Sequence, residues 1–183
     1  MISSADPGRN AQAGLYTDEQ RRRRDATRWT LVQGVLAPLQ FLIFLVSLFL
    51  VFRYLLTGQG LALTTLSIVV KTLVLYTIMV TGSLWEREVF GKYLFAGPFF
   101  WEDVVSILVL ALHTAYLAVL LLFPLNTQLQ IFTALAAYAA YLVNAIQFLV
   151  KFRQARRQAS LMGAREDAGA GASGAAPSPQ AVG

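Results

Sequence analysis

Four acidic side chains lie close together in an otherwise apolar stretch of the sequence, and the only histidine follows them. The acids are Glu86, Glu88, Glu102 and Asp103, and the histidine is His113. Carboxyl groups surrounded by aromatic residues retain their protons more readily than exposed ones, which suits them to general acid catalysis. Glu86 and Glu88 point to nearly opposite sides of a helix, so one is expected to pair with a neighbouring base or to cap the structure. The stretch predicts a site of proton transfer, with these four acids as the candidate catalytic residues.

Glu102 is the preferred proton donor among the four acids. On a helix, Glu102, Ser106 and His113 share one face, and His113 lies about 16 Å further along the axis. A purely structural role remains open for Glu102 and Asp103, because they open a helix where the helix dipole favours negative charge. Asp103 fits that structural role better, whereas aromatic neighbours would keep the Glu102 carboxyl group protonated.

One lysine lies near the middle of an apolar segment, where a charge costs about 3 kcal/mol on insertion scales. This residue, Lys71, is expected at the same depth as His113, and His113 is expected to be neutral because two buried positive charges would repel. Lys71 either forms a buried ion pair or orients a carboxylate or a water molecule. His113 is either a core residue with its hydrogen bonds satisfied or a substrate contact, including an axial contact to a metal ion within a bound ligand.

Aromatic and polar side chains near these groups are candidate walls of a substrate cavity. Gln33, Gln40, Ser47 and Tyr54 recur every seven residues and therefore form one stripe along a helix. The stripe either hydrogen-bonds neighbouring helices or lines a cavity. The candidate substrate-binding residues are His113, Lys71, Tyr76, Tyr116, Tyr138, Tyr141, Trp85 and Trp101.

Four apolar segments must position these residues. The predicted membrane spans are residues 29–52, 61–84, 104–123 and 129–150. Each is long enough to cross a hydrocarbon layer of about 30 Å, and Pro38 is expected to kink the first. Gly91 and Gly97 interrupt the segment after the second span, so a short interfacial helix is predicted over 85–95. The predicted fold class is an all-α integral membrane protein, a four-transmembrane-helix bundle with an interfacial segment between helices 2 and 3.

The composition supports a membrane protein and excludes several classes of site. The chain is 56% hydrophobic and only 14% charged, which is too apolar for a soluble domain of 183 residues. It contains no cysteine and one histidine, so disulfides, thiolate metal sites and a bis-histidine haem within one chain are excluded. No glycine-rich phosphate-binding loop occurs. A reaction without nucleotide or redox metal is favoured, and no cofactor is expected.

Basic residues flank the apolar core and predict its orientation. The net charge is +5, and the excess lies before the first span and after the fourth. Positive residues mark the cytoplasmic side, so both termini and the central loop are predicted to be cytoplasmic, and nucleic-acid binding is the weaker explanation. Three regions are predicted: a disordered segment 1–20, a transmembrane domain 21–157 and a disordered Gly/Ala/Pro-rich tail 158–183.

Three blocks of the sequence carry a family resemblance that covers residues 15–157. They contain YTDEQRRRRDATRWTLVQG, SLWEREVFGKYLFAGPFFWEDVVSILVLALHTAYL and ALAAYAAYLVNAIQFL. These blocks closely resemble the 3-vinyl bacteriochlorophyllide hydratases (2-vinyl in older nomenclature), membrane enzymes of bacteriochlorophyll biosynthesis in phototrophic bacteria. The resemblance implies a hydro-lyase of the bacterial inner membrane. It would add water across the C3 vinyl group of chlorophyllide a or 3-vinyl bacteriochlorophyllide to give a 1-hydroxyethyl group.

The mechanism expected from these residues starts with a protonated carboxyl group, Glu102 first and Glu86 or Glu88 next. It protonates the terminal vinyl carbon, and a water molecule held by a second carboxylate or a Tyr hydroxyl then attacks the inner carbon. His113 would either contact the substrate Mg or hydrogen-bond the periphery of the substrate, and an arginine of either basic flank, or Lys92, would hold the propionate. Association with a second copy or with neighbouring pathway enzymes is left open. The alternative is a non-enzymatic membrane pigment carrier or assembly factor; a small exporter is disfavoured because the first span lacks an acid.

Overall fold

A computed structural model of the chain describes residues 16–174, and all regular structure in that range is helical. The helices are α1 (Asp18–Ala26), α2 (Arg28–Thr57), α3 (Leu61–Phe90), α4 (Phe100–Leu122) and α5 (Thr127–Gly174), with a 3-10 turn at Gly97–Phe99. The predicted all-α fold class is confirmed.

Four of these helices are long and apolar enough to cross a membrane, which confirms the predicted four-helix membrane architecture. The candidate spans are Arg28–Thr57, Leu61–Phe90, Gly97–Leu122 and Thr127–Arg157. Large apolar side chains such as Phe49 and Phe132 are exposed, whereas Lys71, Gln40 and His113 are buried. Exposed apolar and buried polar groups are the pattern expected when the outer surface faces lipid.

The turn between α2 and α3 is made by two glycines. Gly58 (φ 67°) ends α2 and Gly60 (φ 85°) precedes α3, both in the left-handed conformation that glycine adopts without strain. The Thr64 hydroxyl donates to the Leu50 carbonyl at 3.1 Å and joins the two helices beyond the turn. The helix α2 continues through Pro38 and, like α3, extends beyond the predicted span because no helix-ending residue stands at the edge of the apolar run.

The predicted short helix over 85–95 is wrong. The helix α3 continues to Phe90 and ends at Gly91, whose φ of 78° allows the chain to leave the helix there. Residues 85–90 remain helical because nothing in them breaks the backbone pattern, and Trp85 donates a hydrogen bond to Thr30 at 2.9 Å.

The boundaries of the predicted disordered regions also differ. Thr17 and Gln20 form a capping box that starts α1 within the predicted disordered segment, because each side chain accepts from the other's backbone N–H. The helix α5 continues to Gly174, since alanine, arginine and glutamine favour helix even without apolar burial. Residues 1–15 and 175–183 of the two predicted regions lie outside the described part of the chain.

The described chain divides into two units, Tyr16–Phe148 and the part of α5 from residue 149 onward. The core of the first unit includes Phe44, Leu75, Val109 and Tyr116. On α5, Ala134 and Ala137 are fully buried, and such small residues let membrane helices approach closely. All the candidate catalytic and substrate-binding residues belong to this first unit.

Candidate active site

Three of the four acids meet at one end of the first unit, which we call the acidic end. Glu86 lies in the last turns of α3, whereas Glu102 and Asp103 lie in the first turn of α4. Their exposed fractions are only 6%, 7% and 4% respectively. The loop that follows Gly91 reverses the chain direction and brings α3 and α4 together, so acids that are distant in sequence become neighbours.

Two consecutive backbone N–H groups hold the carboxyl groups of Glu86 and Asp103. The Phe95 N–H donates to Asp103 Oδ2 at 2.7 Å, and the Ala96 N–H donates to Glu86 Oε2 at 3.3 Å. Phe95 has a φ of 60°, which is unfavourable for a residue with a Cβ, and it is the one non-glycine residue with positive φ in the described range. The strained turn thus presents both N–H groups to the acids.

The carboxyl groups of Glu86 and Asp103 are also hydrogen-bonded to each other. An ionised carboxylate only accepts hydrogen bonds, so this contact requires that one member of the pair carries a proton. Repulsion between two buried negative charges favours the same singly protonated state. The pair therefore offers a proton on one carboxyl group and an acceptor on the other.

The other two candidate acids occupy different environments. Glu102 lies next to the pair, close enough for its charge to act on Asp103. Glu88 is exposed and accepts a hydrogen bond from the hydroxyl of Thr27, the residue that caps α2. The sequence favours a helix-capping role for Asp103 without excluding catalysis, and it does not reveal that the loop brings Glu86 against Asp103. The catalytic roles of all four acids stay predictions.

Aromatic rings cover the acidic end. Tyr16 stacks on Phe90 and lies against Phe99, with ring centroids 5.8 and 6.3 Å away, and Trp85 packs edge-on against the same two rings. Burial raises the pKa of the Tyr16 hydroxyl, although the guanidinium of Arg24 beside it acts in the opposite direction. The segment before α2 therefore docks on the end of α3 through Tyr16.

A pair of polar side chains lies one helical turn inward from the acids. Asn144 Nδ2 on α5 donates to Ser106 Oγ on α4 at 2.9 Å, and the Ser106 hydroxyl lies 3.3 Å from Asn144 Oδ1. Both side chains are buried. Ser106 follows Glu102 by four residues on α4, so the polar pair continues the face that carries the acid.

Lys71 and His113 meet deeper in the unit, at the common depth expected from the sequence. Lys71 Nζ lies 2.7 Å from His113 Nε2, and His113 Nδ1 lies 2.8 Å from the Val109 carbonyl oxygen. Because the carbonyl can only accept, Nδ1 carries the hydrogen and Nε2 accepts from Lys71. This arrangement uses the neutral imidazole that the sequence predicts.

Aromatic rings, rather than an acid, surround the lysine ammonium group. Lys71 Nζ lies 4.0 Å from the Tyr141 ring centroid, 5.1 Å from that of Tyr138 and 5.7 Å from that of Phe44. Ring faces attract a cation, and more strongly away from water. Within residues 16–174 no carboxylate forms an ion pair with Lys71, so the ion-pair interpretation of this lysine is wrong.

The proposed contact between His113 and a substrate metal stays a prediction, and it would require a local rearrangement. The imidazole is fully buried, and the Nε2 lone pair that would bind the metal accepts the hydrogen bond from Lys71. Axial contact would require the two side chains to separate. Between Tyr16 and Gly174, no three histidine or acidic side chains are arranged to hold a metal ion.

The remaining candidate substrate-binding residues lie in different surroundings, and their roles stay predictions. Tyr138 is hydrogen-bonded to Ser47, and Tyr116 to Thr65, inside the unit. Tyr76 is hydrogen-bonded to Thr114 at the partly exposed boundary of α3 and α4. Trp101 is 69% exposed, although it directly precedes the buried Glu102.

The members of the polar stripe on α2 have different surroundings. Gln33 Nε2 donates to Thr81 Oγ1 at 2.7 Å, and Ser47 is hydrogen-bonded to Ser67 on α3, also at 2.7 Å. Tyr54, at the far end of α2, lines an open groove of about 450 Å³ with Gly58 and residues of α5. The sequence correctly identified this stripe, but periodicity could not show which of its members are satisfied by neighbouring helices.

Comparison with known proteins gives a consistent result over nearly the whole chain. The family model described as 2-vinyl bacteriochlorophyllide hydratase matches residues 16–154. The protein of that name from Rhodobacter capsulatus is 61% identical over 167 residues, which cover 91% of this chain and 93% of the relative. The one from Cereibacter sphaeroides is 65% identical over 142 residues, covering 78% and 88% respectively. No solved structure matches the chain.

Proposed function

Because the chain belongs to the 2-vinyl bacteriochlorophyllide hydratase family, we propose that it adds water to the ring vinyl group of a chlorophyllide or bacteriochlorophyllide. The terminal vinyl carbon gains a hydrogen and the inner carbon gains a hydroxyl, which gives a 1-hydroxyethyl group. Hydration transfers no electrons to or from the substrate, so the proposed reaction requires no redox cofactor, and the Mg ion belongs to the substrate.

The hydrogen-bonded pair of Glu86 and Asp103 is the observation that supports this chemistry best. The protonated member donates its proton to the terminal vinyl carbon, and the positive charge on the inner carbon spreads over the macrocycle. A water oxygen then bonds to the inner carbon and loses a proton to the other carboxylate. The pair ends the cycle with one proton, as it began, so the catalyst is regenerated without another acid.

The location of the pair suits a reaction between a membrane-soluble pigment and water. The acids lie near the end of a spanning helix, in the same part of the chain as the packed rings of Trp85, Phe90 and Phe99. A flat macrocycle can remain against lipid while its vinyl edge approaches this end, where water is available. The exposed side chain of Lys92 lies in the adjacent loop and is a candidate to hold the propionate.

The proposed setting is the bacterial inner membrane, with both termini and the loop between α3 and α4 on the cytoplasmic side. The basic run in α1 and the basic residues after the fourth span support this orientation, because positive residues are retained on the cytoplasmic side. Partners are the pigment and lipid, and a second copy would help to enclose a macrocycle that is large for four helices.

The test uses purified protein in detergent, supplied with vinyl pigment and water alone, and follows the hydroxyethyl product by chromatography and mass. Glu86→Gln and Asp103→Asn are each expected to lower turnover by about 10²–10⁴-fold, because each removes one member of the proton-sharing pair. Pigment binding should persist in both.

Glu88→Gln provides the matched control on the same helix. Glu88 is exposed and bonded to Thr27, so this variant should keep its turnover. A wild-type protein that binds pigment without forming product would identify a carrier, and normal turnover in both Glu86→Gln and Asp103→Asn would refute the assigned acids.

A further inference from the structure

Gln40 presents a buried amide whose hydrogen-bonding capacity is unused. Its exposed fraction is 2%, and neither Nε2 nor Oε1 has a hydrogen-bond partner among residues 16–174. Its neighbours on the same stripe, Gln33 and Ser47, are both bonded to side chains of other helices. A buried amide with donor and acceptor both unmet is unfavourable unless a bound molecule satisfies them. The position therefore indicates a ligand that both donates and accepts.

The helix register places Gln40 at the level of the polar pair on α4 and α5. Ser47 is bonded to Tyr138, and the Phe44 ring lies 4.7 Å from that of Tyr141, so α2 and α5 run antiparallel in step. Four residues back along α2 from Phe44 lies Gln40, and four residues forward along α5 from Tyr141 lies the turn that contains Asn144. These two positions therefore face each other one helical turn further along. Gln40 thus lies level with the amide that is bonded to Ser106.

Gln147, on the face of α5 that carries Asn144, has another buried polar atom whose hydrogen-bonding capacity is unused. Gln147 follows Asn144 by three residues, so the two side chains share a face, and Gln147 Oε1 is buried without a hydrogen-bond partner in the described range. A buried water molecule typically makes two to four hydrogen bonds to such groups. The unmet atoms Gln40 Nε2, Gln40 Oε1 and Gln147 Oε1 supply that number of donors and acceptors on two facing helices.

The polar side chains of Gln40, Ser106 and Asn144 lie at a distance from the acids that suits hydration of a double bond. Ser106 follows Asp103 by three residues and Glu102 by four, which corresponds to an axial separation of about 4.5–6 Å. In hydration, the proton donor and the attacking water each approach a different carbon of one double bond, within about 3–3.5 Å. An oxygen held one helical turn from the acids meets that requirement.

We propose that Gln40, supported by Asn144 and Gln147, binds the water molecule that attacks the vinyl group, an inference that rests on the proposed hydratase function. The amide oxygen accepts one hydrogen of the water, and the amide N–H donates to the water oxygen. When that oxygen bonds to the inner vinyl carbon, the water's other proton passes to the ionised carboxylate of the Glu86–Asp103 pair. The same oxygen then becomes the product hydroxyl, so Gln40 also contacts the product.

The experiment replaces Gln40 by leucine, with Gln33→Leu as the matched change on the same stripe. Turnover, the Kd of the vinyl pigment, the Kd of the hydroxyethyl pigment and the midpoint of thermal unfolding are measured for both variants and the wild type. Gln40→Leu is expected to lower turnover on the order of 10²-fold through loss of water positioning. It should weaken binding of the hydroxyethyl pigment and leave binding of the vinyl pigment unchanged.

Stability separates this role from a structural one. Gln40→Leu removes an unsatisfied buried amide, so its unfolding midpoint should equal or exceed that of the wild type. Gln33→Leu loses its bond to Thr81, so its midpoint should fall while turnover is retained. A lower midpoint for Gln40→Leu, weaker binding of the vinyl pigment, or normal turnover would each overturn the inference. A wild-type protein that forms no hydroxyethyl product would instead refute the hydratase function itself.

Discussion

Lys71 and His113 show how a membrane protein keeps a basic group buried without an acid. The lysine donates to a neutral imidazole and lies against three aromatic rings, so both its hydrogen bond and its charge are accommodated. The sequence placed both residues at one depth, because spans of known length fix depth from the membrane boundary. It could not show that they touch, since rotation of α3 relative to α4 depends on packing rather than on hydropathy.

The contact between Lys71 and His113 predicts non-additive effects on stability. His113→Leu leaves the lysine ammonium group buried without its acceptor, whereas Lys71→Met with His113→Leu removes both polar groups together. The double variant should therefore be more stable than His113→Leu alone, with an interaction free energy of about 1–3 kcal/mol. Thermal unfolding of the two single variants and the double variant measures this interaction free energy. Additive effects would show that the two side chains are not energetically coupled.

At the scale of helices, the acidic end depends on a loop and on a segment outside the spans. The positive φ of Phe95 directs two N–H groups at the acids, and Tyr16 docks the segment that leads into α1 on the rings of Phe90 and Phe99. Hydropathy found the spans because a long apolar run has few alternative folds. Hydropathy does not predict the contact between Glu86 and Asp103, because that contact depends on where α3 ends and how the loop turns.

The docking of α1 predicts a protease-sensitive variant. Tyr16→Ala removes a buried ring and should cost the docked state about 3 kcal/mol, which corresponds to roughly 10²-fold more time undocked. Cleavage by trypsin after the arginines of α1, Arg21–Arg24, should accelerate accordingly and can be followed by gel electrophoresis.

Glu19→Ala is the control for this experiment. It breaks the exposed ion pair with Arg23 on the same helix, and exposed pairs contribute little to stability. Equal cleavage rates in Tyr16→Ala and the wild type would show that Tyr16 does not hold α1 in place.

At the scale of the whole molecule, the proposed orientation gives a direct labelling test. The chain has no cysteine, so a single introduced thiol is the only target for a maleimide. Gln59→Cys and Lys92→Cys both alter exposed loop positions, at opposite ends of α3. In intact cells an impermeant maleimide should label the variant at 59, whereas labelling at 92 should require permeabilised membranes; the reverse pattern would invert the topology.

The apolar segments of α2 and α3, residues 29–52 and 61–84, are each 24 residues long, so each extends about 36 Å, beyond a hydrocarbon layer of about 30 Å. Such hydrophobic mismatch is absorbed by tilt or by local thickening of the bilayer. Glu86, four residues before the end of α3, rises or sinks with that adjustment. The acyl-chain length of the host membrane therefore changes the distance between the acids and the lipid headgroups, without any change in the protein.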